Sequence, residues 1–129
     1  MIAAIQSLRR CVLKAMILAV LAAAALNAPT ATGHWVVNGD VDAKPFVLHC
    51  DFTQTGETLA GTCHDYTPDG KAHRITSGWV KDGKVRFIYQ SNYLLLKFDA
   101  IYEGVLKDDA MSGTAQAAGR KGTFTARRG

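Results

Sequence analysis

Beyond residue 33 the chain alternates apolar and polar residues in short runs, with turn-forming residues between them. Phe46-Val47-Leu48-His49-Cys50-Asp51-Phe52 and Leu59-Ala60-Gly61-Thr62-Cys63-His64 flank Thr55-Gly56-Glu57-Thr58. Ser77-Gly78-Trp79-Val80 and Val85-Arg86-Phe87 flank Asp82-Gly83, and Tyr102 to Leu106 and Met111 to Gly113 flank Asp108-Asp109. A period of two with turn signals at regular spacing predicts antiparallel hairpins. Trp35 and Val37 begin a first strand. Ala72 to Val80 and Val85 to Ser91 form the Asp-Gly hairpin, Leu94 to Leu106 leads into Met111 to Ala117, and Gly122 to Arg127 closes the set. With no helical period in this part, the pattern predicts an all-β fold, a small antiparallel up-and-down barrel of seven to eight strands that leaves no free edge.

Turn length sets the register. A two-residue turn at Gly56-Glu57 places Phe52 opposite Gly61 and Cys50 opposite Cys63, whereas a longer turn moves the cysteines out of line. The Asp82-Gly83 turn sets Val80 against Val85 and Gly78 against Phe87. In both hairpins an aromatic then covers a glycine, which suits a closing sheet because the glycine permits the bend and the ring fills the volume. That recurrence favours the register that aligns Cys50 with Cys63. In an exported chain such a pair is expected to be a disulfide, the alternative being two small buried hydrophobes. The inward set becomes Trp35, Leu48, Cys50, Phe52, Leu59, Cys63, Val80, Val85, Phe87, Tyr89, Tyr102, Leu106, Met111 and Phe124. An eight-stranded interior holds its own side chains or one small ligand, so a cavity would be shallow and near one mouth.

Residues Met1 to Gly33 read as a secretory signal helix: Arg9, Arg10 and Lys14, an apolar run from Ala15 to Leu26, then Pro29 and small residues. Its removal would leave one domain, residues 34–129. Ala31-Thr32-Gly33 fits the small-x-small pattern before a cut, and Ala23-Ala24-Ala25 is an earlier alternative. The apolar run falls short of the roughly 20 residues of a spanning helix, so no membrane contact is expected after cleavage, and a periplasmic or secreted location is. Without the signal, twelve basic residues face eleven acidic ones, a net charge of +1. No basic stripe remains for nucleic acid.

Tyr89, Tyr93 and Tyr102 gather with Ser91 and Asn92 near a turn and, with Trp35, make a candidate small-molecule site at a barrel mouth. The run Tyr93-Leu94-Leu95-Leu96 breaks alternation, as a bulge, a loop facing a membrane or partner, or a strand buried on both sides would. On the outer face Trp79 falls opposite Arg86 and beside Ile88 and Val105, a composition typical of interface centres. His49 and His64 face each other near Asp51 and Asp65 on an open surface. They are too few for a closed metal site, so no metal or other cofactor is expected. Ser77, Ser91 and Ser112 lack a His or acid partner pattern, Asp108-Asp109 lies in a solvated turn, and Gly119-Arg120-Lys121-Gly122 is too short for a phosphate loop. The chain therefore reads as a non-enzyme: an exported barrel binding a small apolar or aromatic ligand at one mouth, or alternatively a module that meets an envelope protein through the Trp79 patch.

Gly33-His34-Trp35, Leu59-Ala60-Gly61-Thr62, Met111-Ser112-Gly113-Thr114 and Gly122-Thr123-Phe124-Thr125-Ala126-Arg127 resemble a poorly characterised group of small exported bacterial barrels that look calycin-like, akin to lipocalins and avidins. This resemblance implies fold, and no biotin ligand is carried over from it. Trp35, Cys50, Cys63, Gly78, Trp79, Asp82 and Gly83 also resemble the outline of periplasmic inhibitors of secreted metalloproteases, which implies a protease-inhibitor-like role for the alternative reading.

Overall fold

The computed structural model describes residues 30–66 and 70–129. The signal segment up to Pro29, with both its apolar run and the earlier cleavage position, lies outside them. Eight strands follow one another: β1 Gly33–Val41, β2 Lys44–Thr55, β3 Thr58–Asp65, β4 Ala72–Lys81, β5 Lys84–Tyr93, β6 Leu96–Lys107, β7 Ala110–Ala117 and β8 Arg120–Arg128. Each pairs antiparallel with the next, and β8 pairs back onto β1, so the sheet is a closed up-and-down barrel. Among the described residues no helix is long and apolar enough to cross a membrane.

The tight turns follow from their residues. Asp82 and Gly83 both take positive φ, 51° and 74°, the backbone twist that joins two right-twisted strands most directly. The register is then as the turns require: Cys50 opposite Cys63, Phe52 opposite Gly61, Val80 opposite Val85, and Gly78 opposite Phe87. Cys50 and Cys63 form a disulfide within the core, their Cα atoms 4.0 Å apart.

Every residue of the expected inward set is buried, and Val37, Ala100, Ala115 and Ala126 join it. The interior is a stack of rings. Phe87 lies 4.6 Å from Tyr102 and 5.1 Å from Phe52, and Tyr102 meets Phe124 edge-on at 5.5 Å. Glycines stand opposite Phe52, Phe87 and Phe124 in the ladders, and some of them also let neighbouring strands approach closely. A Cβ on Gly113 would drive into the Glu103 carbonyl, and one on Gly61 into that of Asp51, where the backbone also sits at φ 149°.

Two features depart from strict alternation. A bulge between Ile75 and Ser77 reverses the parity of β4. Counting back from buried Val80 would send Arg74 and Thr76 inward, yet both are exposed, while His73 is buried and Ile75 partly so. The second is the leucine run: the expected strand from Leu94 to Leu106 starts only at Leu96, because Leu94 and Leu95 form the turn between β5 and β6.

The end of the barrel where β1 begins and β8 ends is covered by Thr30 to Thr32. Ala31 is wholly buried, its N–H donates to Gln54 Oε1 at 2.8 Å, and its carbonyl accepts from Trp35 Nε1 at 2.8 Å. Arg128 donates to the carbonyls of Thr30 and Thr32 and lays its guanidinium 4.5 Å over the Trp35 ring. Gly33 itself is the first residue of β1. A cut after Gly33 would remove this closure, and one after Ala25 would keep it.

Candidate functional site

Two of the three tyrosines expected at a mouth, Tyr89 and Tyr102, sit in the core. Tyr89 and Tyr102 come together across β5 and β6, and their hydroxyls hydrogen-bond each other at 2.9 Å. Both side chains are almost wholly buried, at 4% and 5% exposure. Burial disfavours the phenolates, pushing Tyr102 up to about 12 and Tyr89 further still. Ser91 continues the same strand half-buried, Asn92 is exposed, and Tyr93 ends β5 next to the turn. Trp35 is turned to the terminal end, where Ala31 and Arg128 hold it.

Sequence parity missed the partner of this pair. His73, turned inward by the bulge, stacks on Tyr89 with ring centroids 4.6 Å apart and bonds Asp65 Oδ1 through Nε2 at 3.1 Å. The result is a seam in which Asp65 bonds His73, His73 stacks on Tyr89, and Tyr89 bonds Tyr102. Such a seam specifies packing, and burial of both rings keeps their hydroxyls away from solvent. An open groove of about 300 Å³ does lie elsewhere, between the β2–β3 and β4–β5 turns, and Gln54, Glu57, Val80 and Leu106 line it with no tyrosine among them.

The outer residues stand where parity places them. Trp79 pairs with Arg86, and Arg86 with Glu103, in one row across β4, β5 and β6. Arg86 Nε lies 3.0 Å from Glu103 Oε1, although its N–H is not aimed well enough for a hydrogen bond. Ile88, half-buried, pairs with Ile101, which sequence reading had not picked out, on one side of this row. Val105 stands 55% exposed on the other, and Trp79 itself is 38% exposed. An ion pair framed by Trp, Ile and Val makes a mixed surface, apolar at its edges and charged at its centre.

A second apolar exposure caps the β5–β6 hairpin. Its ladder from Gln90 opposite Asp99 to Tyr93 opposite Leu96 runs past the last paired residues of β4 and β7, so the hairpin projects from the barrel. At its tip Leu94, Leu95 and Leu96 are 86%, 100% and 71% exposed, which excludes a strand buried on both sides. Leu94 also takes φ 56°, a conformation costly for a residue with a branched side chain.

On β1, β2 and β3 the outer face carries the histidines. His49 faces His64 across the ladder as expected, and His34, on β1, adds itself to them. Its Nε2 lies 3.3 Å from His49 Nδ1, its Nδ1 bonds Asp51 Oδ1 at 2.8 Å, and Tyr66 stacks on His49 at 5.1 Å. Among the described residues no three His, Cys, Asp or Glu side chains converge in a ready-made metal site.

Compared with known proteins, the chain matches no family model and no curated protein sequence.

Proposed function

We propose that this protein is an exported, non-enzymatic binding module that works from the outside of its barrel, taking a protein partner on the face formed by β4, β5 and β6. The observation that carries this reading is the exposure of Trp79 and Val105 beside the Arg86–Glu103 pair. Tryptophan and arginine together are the residues most often found at the centres of protein interfaces, where a large ring loses water and a guanidinium finds fixed acceptors. The disulfide supports an extracytoplasmic site of action, since such bonds persist in oxidising compartments. Small-ligand binding at a mouth is the weaker reading, because Tyr89 and Tyr102 are buried against each other and Trp35 gives its indole N–H to Ala31.

A photo-crosslinking amino acid placed at Val105 tests the proposal in cells. Defined protein adducts that disappear when Trp79→Ala is added, with none from the same probe at Asn38 on the far strand, are the expected result. Adducts indifferent to Trp79, or equal at both positions, would remove it.

A further inference from the structure

We infer that the outer face of β1–β3 is a binding site for a divalent transition metal ion of the Zn²⁺, Ni²⁺ or Cu²⁺ class, held by His34 Nε2 and His49 Nδ1. Two imidazole nitrogens bound to one tetrahedral ion, each at about 2.0–2.1 Å, stand about 3.3–3.4 Å from each other. Those two nitrogens are 3.3 Å apart here before any ion enters. The backbone places them so: His34 pairs with Asp51 across the β1–β2 ladder, and His49 lies two residues along β2 on the same face.

The surroundings also match a ligand pair. The carboxylate of Asp51 accepts from His34 Nδ1 at 2.8 Å, which puts that imidazole's proton on Nδ1 and leaves the Nε2 lone pair pointing towards His49. A metal-bound histidine is ordinarily oriented and made more basic by a carboxylate on its remote nitrogen, and Asp51 occupies that position. Without an ion, His49 Nδ1–H donates to His34 Nε2. With one, His49 carries its proton on Nε2 instead and offers Nδ1 as the second ligand, so the neutral pair loses no proton. His64 is exposed directly opposite His49 and on the same outer face. By rotating about its side-chain bonds it supplies a third nitrogen, and water completes the coordination. Imidazole donors select the borderline transition metals over Mg²⁺ or Ca²⁺, which want several oxygens. The site lies on different strands from the Trp79 face, so it does not depend on the proposed partner.

Titration of Zn²⁺ into the disulfide-bonded protein without a histidine tag, followed by calorimetry and by histidine side-chain NMR, tests the inference. One saturable ion per chain, with shifts at His34 and His49, is expected. His34→Ala and His49→Ala should each weaken binding by about 100-fold, and Asp51→Asn by about 10-fold with both ligands still present. All three residues are on the outer face, so unchanged melting temperatures check that the variants fold. The inference falls if the wild type binds no ion at millimolar Zn²⁺, or if the His34→Ala/His49→Ala double variant binds as well as the wild type.

Discussion

The chain has two tryptophans, and they stand on opposite sides of the same wall. Trp35 is wholly buried, its N–H given to Ala31 and its ring covered by Arg128, so each of its surfaces is committed to holding the barrel shut. Trp79 lies on the outside, more than a third exposed, beside an arginine already paired to a glutamate. The interior is a packed stack of rings with glycines opposite several of them. Chemistry left over for another molecule is on the outer faces and at the β5–β6 tip. Substitutions inside should therefore change stability, and substitutions outside should change binding.

The largest effect should come from the centre of the ring stack. Phe87→Ala removes a ring that contacts Phe52, Tyr102 and Phe124, and should cost about 3–5 kcal/mol in denaturant unfolding, whereas Trp79→Ala should stay within about 1 kcal/mol. Equal losses at the two positions would break the comparison. Next comes the cross-link: replacing Cys50 and Cys63 by alanine should lower stability by about 2–3 kcal/mol, read from the urea midpoint, since the pair closes a short loop of the unfolded chain.

The tyrosine pair gives an effect that grows with pH. Unfolded tyrosines ionise near pH 10, while burial keeps Tyr102 protonated until about pH 12 and Tyr89 beyond it. Above pH 10 the unfolded state therefore binds fewer protons than the native one, and stability falls as pH rises. The loss should approach about 1.4 kcal/mol per pH unit for each tyrosine between pH 10 and 12, with no such loss below pH 9. Tyr102→Phe should shrink that slope, and an unchanged slope would show that the pair is reached by water. The smallest effect has the opposite sign. Leu94→Gly relieves a positive φ at a tip with no core contacts to lose, and should raise the melting temperature by the equivalent of about 0.5–1 kcal/mol. A fall would mean that the leucine is packed, and not offered to solvent.

Much of the interior was legible because its signals are local. Alternation assigns a side to each residue, and two-residue turns such as Gly56-Glu57 and Asp82-Gly83 set the register over a whole hairpin, so Cys50 opposite Cys63 and Phe87 inside followed from neighbours in the chain. Errors began where that parity was interrupted. The bulge at Ile75–Ser77 carries no sequence mark, and it alone turns His73 inward to stack on Tyr89. Leu94-Leu95 has none of the usual turn residues, so a tight turn there read as part of a strand. Tyr89 and Tyr102 were placed on the correct side, but whether their hydroxyls met each other or a ligand depended on how far inside they lay.

By itself the sequence determined the class of the fold, the hairpin registers, the inward residues and the cysteine pair, because each rests on spacing within one or two strands. Only the tertiary structure decided how the ends of the chain are used. Closing β8 onto β1 brings Arg128 over Trp35 and to the carbonyls of Thr30 and Thr32, which lie across that end of the barrel. These contacts join the two ends of the strand order and follow from the tilt and stagger of all eight strands together, a property of the closed sheet that no local pattern carries.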